Sequence, residues 1–159
     1  MLRICVLTVA TATAAALLFG VSSGAAGDRA RVISLLSVQQ GGSLVDIDQS
    51  GGGGPTLGDQ YLFTDGLYQW NGTKRGKRIG TTHGIATITS PTTAFFTGTM
   101  SLPGGLIQGA GYFDFTARVE TIIVLGGTGR YSNAGGSVTI TKVGGENSDN
   151  STLVIRLVP

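Results

Sequence analysis

The stretch Thr121-Ile-Ile-Val-Leu-Gly-Gly-Thr-Gly-Arg-Tyr-Ser-Asn-Ala-Gly-Gly-Ser-Val-Thr-Ile-Thr141 decides how this chain folds. Its first five residues, Thr121 to Leu125, form a run rich in β-branched side chains, which suit a pleated, half-buried surface. Gly126, Gly127 and Gly129 stop that run, because glycine reaches positive φ without a Cβ clash. Arg130 and Tyr131 sit in the connection, and Gly135-Gly136 lead into a second run. There Val138 and Ile140 alternate with Thr139 and Thr141, the period-two signature of one apolar face. The unit is two strands joined by a glycine-shaped corner. At least one of the corner glycines is expected at φ > 0.

Working outward, similar runs lie on both sides. Upstream are Val32–Gln39, with a bend at Gly41-Gly42 and an extended Leu44–Asp48, then Asp59–Trp70, interrupted near Asp65-Gly66. Ile79–Thr89 ends at Ser90-Pro91, Ala94–Leu102 turns at Pro103-Gly104-Gly105, and Leu106–Phe115 leads to Arg118–Leu125. Ser137–Val143 and Ser151–Val158 follow, linked by Gly144 to Asn150. Asn71-Gly72 reads as a type I′ hairpin signal. The basic cluster Thr73-Lys-Arg-Gly-Lys-Arg78 reads as a solvated hairpin tip that discourages edge pairing. Ser50 to Pro55 is a flexible loop by composition; neither a lysine nor a helix start follows, so it does not cradle phosphate. Eight short strands with glycine-rich turns and no helical period mean an all-β sandwich or barrel, and sequential hairpins favour an up-and-down antiparallel barrel. Eight strands leave an interior wide enough for side chains or one small ligand.

Met1 to Ala26 reads as a secretory signal peptide, with Arg3 as its positive start, an uncharged apolar core from Ile4 to Val21, and the small residues Ser22 to Gly27 at its end. Cleavage after Ala26 would leave residues 27–159 as one secreted, extracytoplasmic barrel domain; an uncleaved anchor is the rival reading. Cys5 lies in the leader, so the mature chain has no cysteine and no internal disulfide. The formal charge is +2, or +1 once Arg3 leaves with the leader (10 basic against 9 acidic), too little to point to nucleic acid or an anionic membrane. With 13% charged residues and a positive mean hydropathy the chain is not a disordered one.

Much site chemistry is excluded. With one histidine, His83, and no mature cysteine, no metal site of the usual Cys/His kind can form, and a cysteine nucleophile is ruled out. The Gly20-x-Ser-x-Gly24 match lies in the leader, and Gly127-x-Gly129 precedes a strand rather than a dinucleotide-binding helix. No cofactor is called for. The residues left are polar groups among aromatics. Of these His83, Tyr68 and Gln39 are the candidate catalytic donors, and Tyr61, Trp70, Tyr112 and Tyr131 the candidate ligand contacts. His83 is singled out as the one side chain that titrates near neutrality. Asp114 and Glu120 flank the Phe115–Ala117 turn and read as solvated ends.

Gly126-Gly-Thr-Gly-Arg-Tyr131 with Asn133-Ala-Gly135 resembles the corner motif of the allene oxide cyclase and dirigent-like barrels. Gly58-Asp-Gln-Tyr-Leu-Phe-Thr-Asp-Gly-Leu-Tyr68, Gly80-Thr-Thr-His-Gly-Ile85 and Leu106-Ile-Gln-Gly109 resemble the same family in the same order, over about Val32 to Leu157. The resemblance implies an eight-stranded calycin-type barrel, association of copies as a trimer, and a cyclase or isomerase activity on a small molecule. The plant enzymes' first-strand glutamate falls near Ser37, its neighbouring asparagine near Gln39, and their third-strand cysteine on Ala86, so the plant catalytic set is not matched. Gly135 stands where a basic residue is common in the corner motif. The expected function is an exported barrel that binds an apolar small molecule and steers its cyclisation by shape, with tyrosine hydroxyls, Gln39 or His83 donating hydrogen bonds. The alternatives are a non-catalytic, lipocalin-like carrier of a lipid or terpenoid, and a barrel filled by its own side chains.

Overall fold

Alternation of apolar and polar residues carries each strand to its sequence neighbour, and the last strand returns to the first. In a computed structural model describing residues 31–47, 54–144 and 150–158, the strands are β1 (Arg31–Val45), β2 (Gln60–Trp70), β3 (Arg75–Ser90), β4 (Thr93–Leu102), β5 (Gly105–Asp114), β6 (Val119–Gly127), β7 (Gly135–Lys142) and β8 (Ser151–Val158). All neighbours pair antiparallel, and β1 against β8 closes the expected eight-stranded barrel. Among the described residues every strand therefore has a paired neighbour on both sides, the β5–β6 seam being paired only from Ile107 to Ala110. The leader lies outside the described residues, as does most of the Ser50–Pro55 loop.

The bend expected at Gly41-Gly42 is a bulge between Gln39 and Gly41 in the pairing of β1 to β2, the extra residue being absorbed by a local twist. Two other local expectations are corrected. β2 is not interrupted at Asp65-Gly66, because Asp65 pairs across to Gln39 on one side and Thr82 on the other. The link after Trp70 is not a two-residue type I′ turn. Gly72 alone takes positive φ (98°), and the Asn71 side chain accepts the backbone N–H of Thr73 (3.0 Å) and of Lys74 (2.8 Å). That closure releases Arg75 to Arg78 into β3 instead of a tip, where the Arg75 guanidinium lies 5.0 Å over the Tyr68 ring and Arg78 donates to Gln40 (2.9 Å).

The corner between β6 and β7 closes one end of the barrel. Gly129 holds φ 60°, as expected of at least one glycine there, and opens a single 3₁₀ turn, Gly129–Tyr131. This turn packs on the β4–β5 hairpin. Arg130 N–H donates to Gly104 O (2.8 Å), Thr128 N–H to Leu106 O (2.9 Å), and the Tyr131 hydroxyl to Pro103 O (3.2 Å). The Tyr131 side chain, only 3% exposed, joins a core with Leu35, Leu67, Ile107 and Ile155. The apolar plug therefore fills the corner end, and the opposite end is left for a ligand.

Candidate functional site

A cavity of about 440 Å³ occupies that opposite end, within the usual range for small-molecule sites. One wall is aromatic. Phe63 stacks on Phe96 with centroids 5.6 Å apart, and Phe113 meets Phe96 edge-on at 5.5 Å. Such ring pairs contribute about 0.5–1.5 kcal/mol each beyond their burial. They fit because Gly84 and Gly98 pair across β3 and β4. A Cβ at Gly84 would stand 2.5 Å from the Phe63 ring and 2.6 Å from Phe96.

The other wall is polar. Ser37, on β1, donates to Asp65 Oδ2 on β2 at 2.7 Å, and Gln39 Nε2 donates to the Tyr61 hydroxyl at 2.9 Å. Gln39 and Asp65 are themselves a cross-strand pair, so the two hydrogen-bonded pairs adjoin. Thr82 follows on β3, and Ser151 on β8 lies beside Ser37. Polar and apolar residues thus face each other across one lumen.

The mouth is braced by short connections. Lys142 Nζ donates to Phe115 O (2.7 Å), and Glu120 accepts the Asp114 N–H (2.8 Å). The Thr116 hydroxyl (2.6 Å) and N–H (2.8 Å) both donate to Asp114, which holds its carboxyl below the usual aspartate range. Asp114 and Glu120 are therefore turn-building groups. Asp59, buried at the start of β2, accepts from Ile47 N–H (2.8 Å) and Thr56 N–H (2.7 Å), tying down the connection from β1. Among the described residues no three His, Cys, Asp or Glu side chains converge as metal ligands.

Of the residues singled out from the sequence, the structure brings Gln39 and Tyr61 together in the cavity. His83 lies on the outer wall, where its Nδ1 is 3.2 Å from the Thr64 hydroxyl. Strand alternation is the reason: Thr82 and Ala86 point inward, so His83 between them points out. Tyr68 and Trp70 share the outward parity of Thr64, and Tyr112 is 66% exposed, edge-on to Phe95. Tyr131 is the plug at the closed end. Ser37, Asp65 and Thr82 went unnamed as site residues, although Asp65 shares the parity of Tyr61 and Phe63. A second, more open depression of about 580 Å³ lies on the outer wall beside His83 and Thr64. It is the larger volume and holds the Thr64–His83 pair, but it is open to solvent, so the more enclosed inner cavity is the better site.

The barrel and its cavity agree with a family model, the allene oxide cyclase barrel like domain, which matches residues 43–155. The chain belongs to this family. No curated protein sequence matches it. Among solved structures, a pyocyanin demethylase is similar with a TM-score of 0.65 and 24% identity, covering 80% of this chain and 99% of its own. An exo-specific intermolecular Diels–Alderase has a TM-score of 0.63 at 16% identity, covering 84% of this chain and 99% of its own. A pterocarpan synthase dirigent protein has a TM-score of 0.63 at 14% identity, covering 82% of this chain and 84% of its own. At these identities the likeness is one of fold. The allene-oxide-cyclase-like barrel is thus shared by proteins named for quite different reactions, and the site must be argued from its own residues.

Proposed function

We propose that this chain is an exported allene-oxide-cyclase-like barrel that binds one largely apolar small molecule and steers its cyclisation or isomerisation. The observation that carries the reading is the cavity: an aromatic wall facing two hydrogen-bonded pairs, Gln39–Tyr61 and Ser37–Asp65, in about 440 Å³. A flexible substrate folded against the Phe63–Phe96–Phe113 wall is held near its reactive geometry, and orientation alone lowers a barrier substantially. An electrocyclic or cycloaddition step forms its new bonds from the substrate's own π electrons and needs no protein nucleophile. Tyr61 and Gln39 then serve as hydrogen-bonding groups toward charge that develops on a substrate oxygen. Neighbours named as a Diels–Alderase and a pterocarpan synthase support cyclisation as the reaction type. Pairing of copies through the barrel's outer face, as a trimer, belongs to the same proposal, supported by the exposed Ile123 and Leu125 on β6.

The test is to purify the protein from its secreting host, identify by mass any molecule that travels with it, and assay candidate polyenes and epoxides for a single enantiomer above the spontaneous background. Tyr61→Phe is expected to lower turnover roughly tenfold or more, as loss of a transition-state hydrogen bond does, while His83→Ala leaves it unchanged. Ala86→Trp, on the cavity wall, is expected to exclude the bound molecule. An equal loss in His83→Ala would move the site to the outer wall. Binding without turnover would establish the carrier reading.

A further inference from the structure

Among the described residues, the one buried side-chain polar atom without a hydrogen-bond partner belongs to a residue of the cavity lining, and it bears on the ligand's chemistry. Thr82 is 7% exposed, and its hydroxyl has no hydrogen-bond partner among the described residues. Leaving a buried hydroxyl unpaired is costly, so native interiors rarely do so. Thr82 sits where the two walls meet, paired across strands to Asp65 on the polar side and to Met100 on the apolar side. It also marks the cavity floor: a Cβ at the next position of the same parity on β3, Gly80, would meet Ser101 O and then Leu102 of the apolar plug. The residue lines the lumen while its hydroxyl is covered, so reaching a ligand requires the side chain to turn to another staggered rotamer.

Resting on the cavity reading above, we infer that the ligand is an uncharged, mostly hydrocarbon molecule carrying one carbonyl or hydroxyl oxygen, which enters first and is hydrogen-bonded by Thr82 at the floor. The aromatic wall takes the hydrocarbon body. An oxygen at the floor completes Thr82 without displacing the Ser37–Asp65 bond. A carboxylate head is disfavoured there, because it would lie beside the Asp65 carboxyl group and two carboxyl groups in one site oppose each other's ionisation. The only cation lining the cavity among the described residues, Lys142, is at the mouth and bonded to Phe115 O.

Three rigid probes of similar shape test this by equilibrium dialysis: fluorene, 9-fluorenone and fluorene-9-carboxylate, each against the wild type, Thr82→Val and Thr82→Ser. The expected result is a wild-type preference for 9-fluorenone over fluorene of about five- to tenfold, retained in Thr82→Ser and lost in Thr82→Val, with the carboxylate weakest throughout. Thr82→Val should also melt no lower than wild type without ligand, since it removes an unpaired hydroxyl. Equal binding of fluorene and 9-fluorenone by the wild type, an unchanged preference in Thr82→Val, or tightest binding of the carboxylate overturns the inference and leaves the apolar cavity standing. Binding of none of the three by the wild type overturns the cavity reading itself, and this one with it.

Discussion

Asp114 shows how much a single exposed side chain does at the mouth. Its carboxylate is held below the ordinary range first by the Thr116 hydroxyl, then by the Thr116 N–H, with Lys142 adding a smaller attraction. A carboxylate with a depressed folded value stabilises the fold above its unfolded pKa of about 3.9, and loses that contribution as pH falls through the folded value. Thr116→Val should therefore melt lower than wild type near neutrality, and the gap should close in melts taken progressively below about pH 4. A gap that stays constant down to pH 2 would assign the effect to something other than the carboxylate. The same logic of residue type and partner explains the site. Gln39 and Tyr61 are found together because the Gln39 amide N–H donates to the Tyr61 hydroxyl oxygen within one lumen.

At the scale of elements, the β6–β7 corner is the piece that gives the barrel a closed and an open end. Gly129 is left-handed, and a Cβ on it would overlap Gly104 O, so both its conformation and its neighbour forbid a branched side chain. Gly54, ahead of β2, has nothing near its would-be Cβ. Strain at a left-handed position costs on the order of 1–3 kcal/mol against a total of roughly 5–15 kcal/mol. Gly129→Val is expected to lower the melting temperature by at least about 5 °C, and Gly54→Val to shift it by no more than about 2 °C. Equal melts would show that the corner does not organise the fold. The glycines of β3, β4 and β5 work differently: Gly84 and Gly98 leave room for the Phe63 and Phe96 rings, and Gly109 for Ile122.

For the whole molecule, two statements are open to one preparation. Expressed from Met1 in a secreting host, the protein is expected outside the cytoplasm with its N-terminus near Gly27, and its mass in solution should be that of three chains. Intact Met1 on a membrane fraction would make the leader an anchor, and a single-chain mass would confine the apolar outer face of β6 to some other role. A closed barrel has no edge strand to recruit a neighbour, so association must run through side chains on the wall.

The period of two and the glycine turns determined the eight strands and the hairpin order, because these follow from local alternation and from positions only glycine can occupy, while closure into a barrel was implied by the family resemblance. Parity also separates His83 from Ala86 and Thr82, and groups Asp65 with Tyr61. Weighing those residues by type instead of by face is what sent His83, Tyr68, Trp70 and Tyr112 to the list of candidates. Which parity faces inward is not local. The bulge after Gln39 shifts the phase within β1, and a one-residue shift reverses every side chain beyond it. Only the closed sheet decided that Ser37 meets Asp65 and that two strand glycines line up beneath two phenylalanines. It alone decided that the Thr82 hydroxyl is buried without a partner among the described residues. Each depends on the register between neighbouring strands, which no single segment writes.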